Sequence, residues 1–165
     1  MNDPTFRRVR VQSLGAEDRA QYGAFLDALD PEDLYLRTMG RTARPDAGRI
    51  EALLDLDGRS RFALAALGAD GTILGVVRAA VLAEDASAEF ALIVRSALKR
   101  RGLGAKLLRA LLERLRELGV RRVVGHTFAR NEALLGLARQ NGFAVTPGDD
   151  ATMRRVERAL EPATV

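Results

Sequence analysis

The order of apolar patterns along this chain predicts a mixed α/β fold: a central, mostly antiparallel sheet with one parallel strand–helix–strand unit and helices on both faces. Three observations carry that prediction. Two apolar runs, Arg61 to Leu67 and Thr72 to Leu82, are separated only by Gly68-Ala69-Asp70-Gly71, residue types that favour the positive φ angles of a tight hairpin. Leu103, Leu107, Leu108, Leu111, Leu112, Leu115 and Leu118 share one broad face of a long helix. That helix stands between the compact apolar runs Ala88 to Val94 and Val120 to Phe128, an order that reads as a parallel unit with a right-handed crossover.

From the start of the chain, Phe6 to Leu14 alternates well enough for a strand, and Gly15-Ala16-Glu17-Asp18 opens a helix through about Leu29. Asp30-Pro31-Glu32-Asp33 starts a second, short helix reaching about Met39, with proline at the first helical position and acidic groups in the first turn. Gly40 to Gly48 reads as a loop, and Ile50, Leu53, Leu54 and Leu56 predict a helix beyond it. The hairpin and the parallel unit follow, with Gly119 closing the long helix. Asn131 to Gln140 reads as a helix ended by Asn141-Gly142, Phe143-Ala144-Val145 as a short strand, and Thr152 to Leu160 as a last strand near an edge of the sheet. No repeat, low-complexity tract or linker divides the chain, so residues 1–165 are expected to form a single domain.

Composition narrows the function classes. With 47% apolar and 29% charged residues the chain has the balance of a folding domain. The absence of cysteine removes disulfides, thiolate metal sites and a thiol nucleophile, and no metal site is expected. No signal peptide and no apolar run of membrane-spanning length is present, so a soluble, cytoplasmic protein with no membrane partner is the expectation. The net charge of +4 comes almost wholly from arginine, because Lys99 and Lys106 are the only lysines. Such a balance suits acidic partners, but the acidic residues are interspersed and only two tyrosines and six phenylalanines could stack on bases. Nucleic acid therefore ranks last among the partners.

The segment with the clearest chemistry is Val94-Arg95-Ser96-Ala97-Leu98-Lys99-Arg100-Arg101-Gly102-Leu103-Gly104-Ala105-Lys106, between a buried strand and an amphipathic helix. Glycines allow a diphosphate to approach the backbone, and the free N–H groups and positive end of the helix dipole attract its charge. Lys99, Arg100, Arg101, Lys106 and Arg109 add positive charge nearby. A Gly-X-Gly before a helix also arises where a turn simply needs glycine. A dinucleotide-binding turn would need a third glycine where Leu107 stands, and a nucleotide-hydrolase P-loop would need Gly-Lys-Ser or Gly-Lys-Thr. Neither pattern is present.

Lys99-Arg100-Arg101-Gly102-Leu103-Gly104 resembles the Gln/Arg-X-X-Gly-X-Gly/Ala acyl-CoA loop of GNAT acetyltransferases, and Asn131 followed by Gly142-Phe143 resembles their next motif. Within that superfamily, Pro31 to Arg37, Ala88-Glu89-Phe90, Val94-Arg95-Ser96 with Leu98-Lys99, and Leu137-Ala138-Arg139 before Gly142-Phe143 are similar to the acetyltransferase domains of bacterial protein-lysine acetyltransferases that modify acyl-CoA synthetases. That likeness covers about Val9 to Val145. It implies a GNAT fold, acetyl-CoA as co-substrate, and an acceptor amine that is a protein lysine or, next, a small amine. Two departures stand out. Lys99 replaces the usual Gln or Arg, and Ala138 stands where many members carry the tyrosine assigned to protonate the leaving thiolate. The acyl-CoA synthetase portion of some relatives does not accompany the domain, so the acceptor is expected to be recognised by this domain alone.

Acyl transfer from a thioester to an amine needs a neutral amine, whereas a free lysine side chain, with a pKa near about 10.4, is mostly protonated at neutral pH. The resemblance assigns the base to Glu89, at the start of the strand beside the thioester, acting directly or through a water. A glutamate there could also be a solvated strand residue. The resemblance implies an oxyanion donor among the backbone N–H groups near Ile93 or Val94, and pairing of the pantetheine arm with Leu92 to Val94. Arg100 to Ala105, by way of Gly102, Leu103 and Gly104, would hold the pyrophosphate. His126, the single histidine, shares a face with Val124 and Phe128 and could relay a proton or be structural. Asn131 is expected on the cofactor arm, or only as a helix cap. Tyr35 is placed near the acceptor cleft or in packing. A catalytically weak acyl-CoA-binding module, suggested by Ala138, stays open beside the enzyme. Monomer and homodimer are both compatible with the sequence.

Overall fold

A computed structural model describes residues 8–37, 45–95 and 102–163, with backbone alone for 35–37. Its strands are β1 (Arg10–Ser13), β2 (Arg61–Leu67), β3 (Ile73–Leu82), β4 (Ser87–Val94), β5 (Arg122–Phe128), β6 (Ala144–Pro147) and β7 (Met153–Ala159). Its helices are α1 (Arg19–Asp27), α2 (Pro31–Arg37), α3 (Ala47–Leu53), α4 (Leu103–Glu117) and α5 (Glu132–Gln140), with a 3₁₀ turn over Ala16–Asp18 leading into α1. All seven strands join in one sheet of order β1-β2-β3-β4-β5-β7-β6. Every pairing among them is antiparallel except β4 with β5.

The expected mixed α/β sheet is therefore present, with its one parallel pair built around the leucine-faced helix. Leu107, Leu108, Leu111 and Leu115 of α4 are fully enclosed, and burying each contributes about 2 kcal/mol. They pack with Val77, Phe90 and Val123 of the sheet and with Leu135 and Ala138 of α5. The opposite face holds a second core, in which Tyr22, Phe25 and Leu26 of α1, Leu34 of α2 and Ile50 of α3 cover Ala65, Val76 and Ile93. The strand expected near an edge, β7, lies one place inside it, between β5 and the edge strand β6.

Several boundaries depart from the sequence expectation: β1 starts at Arg10, after the described Arg8 and Val9, and α3 ends at Leu53, short of Leu54 and Leu56. The helix expected after Gly48 starts earlier, because Asp46 Oδ1 accepts the Arg49 N–H at 2.8 Å and caps α3 from within the expected loop. The hairpin turn behaves as its residues suggest, with Gly71 at φ +84° and its N–H donating to Gly68 O.

The loop entering β2 turns around Asp57, whose carboxylate accepts from the Ser60 hydroxyl and from the N–H groups of Arg59 and Arg61. The Ser60 hydroxyl first, and the two backbone donors next, hold this carboxyl well below the ordinary carboxylate range. A group depressed in the folded state adds stability above its unfolded value, and that stability is lost as pH falls through the folded one. Asp57→Ala is therefore expected to lower the thermal midpoint at pH 7, with the gap to the parent narrowing as the solution is acidified below about pH 4. Thermal melts of the two proteins across that range check this.

Candidate active site

The parallel pairing of β4 with β5 runs only from Ser87–Arg122 to Phe90–Gly125, although β4 continues to Val94 and β5 to Phe128. Beyond Phe90 the two strands part, and the edge of β4 facing β5 has no partner strand. The register on the other side of β4 shows which donors this leaves open. Arg95 N–H donates to Leu74 O on the β3 side at 3.3 Å. Because successive strand N–H groups point in opposite directions, the Ile93 N–H is spent on β3, while those of Leu92 and Val94 point into the opening. Of the two expected oxyanion donors, only Val94 has its N–H on the open edge.

The start of α4 faces the same opening. Gly102 is its N-cap at φ +84°, a conformation that favours glycine, and it brings no side-chain cap. The first intrahelical bond is Lys106 N–H to Gly102 O, so the N–H groups of Leu103, Gly104 and Ala105 precede the ladder. No acidic residue stands in that first turn. Among the described residues no acidic group in its first turn compensates the positive end of this 15-residue helix, which is what an anion requires. Gly104 has a packing reason as well: a Cβ there would lie 2.9 Å from Leu137 Cδ2 of α5.

Strand opening and helix start line one cavity of about 580 Å³. Leu92, Ile93 and Val94 contribute from β4, and Gly102, Gly104 and Ala105 from the turn and α4. Gly125, His126 and Thr127 contribute from β5, and Asn131 to Leu134 from the start of α5. Because α4 and α5 lie on one face of the sheet while Asp33 of α2, also in the lining, lies on the other, the cavity passes through the sheet where β4 and β5 separate.

A second cavity of about 360 Å³ opens on the α1–α3 face, and Phe90 and Ala91 belong to both. Glu89 lines the second cavity, 60% exposed, and its Oε1 stands 3.7 Å from His126 Nε2, which lines the first. The pair therefore spans the seam between the two spaces. This follows from the sheet: Glu89 registers with Val124, two residues before His126 on the same face.

Other expected site residues fall differently. Lys106 is not in the cavity lining, and its Nζ donates to Val9 O at 2.7 Å. Two residues beyond Gly104, it points to another side of α4. Asn131 lines the cavity but is engaged as a cap, its Oδ1 accepting from Leu134 N–H at 3.3 Å and its Nδ2 donating to Thr127 Oγ1 at 3.0 Å. Ala138 is fully buried and has no hydroxyl to offer. Leu103 is buried, so only its backbone can serve a ligand. Lys99, Arg100 and Arg101, and the side chain of Tyr35, lie outside the described residues.

Asp33 and Arg78 are among the lining residues that were not anticipated. Asp33, 2% exposed on α2, was read as a helix-start acid and as part of the Pro31 to Arg37 resemblance, with no site role of its own. Arg78 lines the second cavity, and its signal was legible as the one charged residue within the otherwise apolar Ile73–Leu82 run. An ion pair at 2.8 Å between Glu32 and Arg130 ties α2 to the turn before α5. Among the described residues, no group of three or more His, Asp or Glu is placed to hold a metal ion, and no helix is long and apolar enough to cross a membrane.

The chain has relatives among known proteins. The chain is 27% identical over 155 residues to an acetyltransferase of Pseudomonas aeruginosa, a match covering 92% of this chain and 83% of that protein. Among solved structures it is similar to the GNAT domain of S. lividans PAT, with a TM-score of 0.85, 24% identity, and coverage of 92% of this chain and 90% of that one. It is also similar to an acetyltransferase of Salmonella typhimurium whose structure holds its cofactor acetyl-CoA, with a TM-score of 0.71, 18% identity, and coverage of 95% and 96%. These structural likenesses speak for the fold. Residues 25–143, which include the β4–β5 opening, the α4 turn and α5, match the model of the Acetyltransferase (GNAT) family, and the chain belongs to that family.

Proposed function

We propose that this protein transfers an acetyl group from acetyl-CoA to a primary amine, with a protein lysine as the leading acceptor and a small amine as the next. The observation that carries the reading is the meeting, in one cavity, of an unpaired β4 edge and the uncapped N-terminus of α4. An amide-bearing pantetheine arm can pair with the first as an added strand, and a pyrophosphate suits the second. The N–H groups of Gly102 to Ala105 would hold the phosphates, joined by the neighbouring Lys99, Arg100 and Arg101 of the sequence. The enclosure of all seven strands in one sheet supports reading the chain as a single domain.

In this reading the acceptor enters by the second cavity and meets the thioester at the seam. Glu89 takes a proton from the ammonium, directly or through a water, and the neutral amine attacks the thioester carbonyl. The C–N bond forms, the oxygen's developing charge is met by the Val94 N–H, the C–S bond then breaks, and the nitrogen releases its second proton to solvent while the proton held at Glu89 goes to the thiolate. The proton held at Glu89 has His126 as its neighbour at 3.7 Å, and His126 lines the cavity that this reading assigns to the cofactor. His126 is accordingly the candidate relay, since Ala138 supplies no hydroxyl.

The test is release of CoA thiol with a panel of proteins and small amines, run beside direct binding of acetyl-CoA. Acceptor-dependent thiol release is the expected result. Tight acetyl-CoA binding with no turnover on any amine would favour a cofactor-binding module instead, and salt-dependent affinity for nucleic acid without acetyl-CoA binding would favour a basic-surface function.

A further inference from the structure

Arg78 lies half-buried on the inner strand β3, on the face that also carries Glu89. A guanidinium taken partly out of water is normally compensated by a carboxylate. Among the described residues none comes within ion-pair distance of this one. Its Nη1 donates to the Leu53 carbonyl at 3.3 Å, its Nη2 to the Tyr22 hydroxyl at 3.4 Å, and its Cζ stands 6.0 Å from the centre of the Tyr22 ring. All three partners are neutral. They aim the guanidinium without discharging it, and their two hydrogen bonds engage two of its five donors.

The surroundings place that charge beside the reaction. Arg78 registers with Ala91 and Glu89 with Ala80, so the two are diagonal neighbours on adjacent strands, a relation that sets the residues about 7–8 Å apart and their Cβ atoms somewhat closer. Both line the 360 Å³ cavity on the α1–α3 face, together with Arg49 and Arg61. Among the described residues, the only other carboxylate in that lining, Asp55, stands 3.9 Å from Arg61 and leaves Arg78 unmatched.

Resting on the proposed reading of Glu89 as the base, we infer that the acceptor carries a carboxylate close to its reactive amine, and that Arg78 binds it while Glu89 takes the proton. The spacing suits two sources of one chemistry: a short free amino acid, or a lysine with an acidic residue beside it in a protein chain. Arg78 acts in recognition, and it does not touch the reacting atoms.

The experiment compares matched acceptors. In one arm, β-alanine and 4-aminobutyrate are set against their uncharged amides. In the other, a blocked peptide with a central lysine flanked by glutamates is set against the same peptide flanked by glutamines. The ratio of kcat/KM within each pair is the readout, because it does not depend on how much of a variant is folded. In the parent, the anionic member of at least one arm is expected to be favoured by about tenfold or more, the range of a charge-assisted hydrogen bond. Which arm responds identifies the source. Arg78→Gln should bring that ratio to near one, and Arg78→Lys should leave it in between. Equal rates within both pairs in the parent, or a preference that survives Arg78→Gln, would overturn the inference while leaving acetyl transfer standing. No turnover on any pair despite acetyl-CoA binding would overturn it too, and absence of acetyl-CoA binding would remove the reading beneath it.

Discussion

Ala105→Glu is expected to weaken acetyl-CoA binding by about 100-fold or more, which corresponds to about 2.8 kcal/mol, while the protein keeps or gains thermal stability. The two effects have opposite signs because they come from one feature. Ala105 occupies the first turn of α4, where an acidic side chain complements the helix dipole and favours folding. The same position lines the large cavity. A carboxylate there would meet the incoming phosphates and occupy the N–H groups meant for them. A unit charge at about 4 Å and an effective dielectric near 20 interacts by about 4 kcal/mol, so the loss holds even after partial screening. Calorimetric titration of acetyl-CoA, paired with a thermal melt, checks both halves. Affinity unchanged by the substitution would move the phosphate site away from this turn.

Glu89→Gln is expected to lower kcat by about 10²- to 10⁴-fold, the range for loss of a positioned general base. Acetyl-CoA affinity should be unchanged, since Glu89 lines the second cavity and not the one assigned to the cofactor. The side chain is 60% exposed and, among the described residues, its one ion-pair partner is His126, so glutamine fits without disturbing the core. Steady-state rates with a saturating acceptor, beside equilibrium binding of the cofactor, read the two effects separately. A fall in kcat of less than about threefold would place the base elsewhere.

Much of this architecture was legible before any coordinates. The leucine stripe of α4 and the glycines around it follow from periodicity and backbone sterics, which are local properties of a chain. So are the hairpin turn at Gly68 to Gly71 and the parallel unit around α4. The starts of elements were less legible where a single side chain decides them, as Asp46 does for α3.

The candidate site divides along the same line. Of the residues proposed to serve by their backbone, Gly102 to Ala105 could be found from the turn they belong to, whereas Val94 came only through the family resemblance. Residues serving by direction could not. Lys106 adds charge near the turn on paper, but helical geometry sends its amine to Val9 O. Asn131 fits a motif, yet its side chain is engaged in capping α5. Arg78 and Asp33 come to the two cavities only through strand register and the docking of α2, which depend on residues far away in the chain. The separation of β4 from β5 after Phe90 is a property of neither strand alone. The position of Glu89 between two cavities is a consequence of it.

The account rests on acetyl-CoA lying between the open edge of β4 and the start of α4. Amide resonances of isotope-labelled protein, followed during titration with acetyl-CoA, test this most directly. Saturable shifts concentrated at Leu92 and Val94 on β4 and at Leu103, Gly104 and Ala105 on α4 are the predicted result. Shifts absent from these amides, or confined to another part of the sheet, would contradict it.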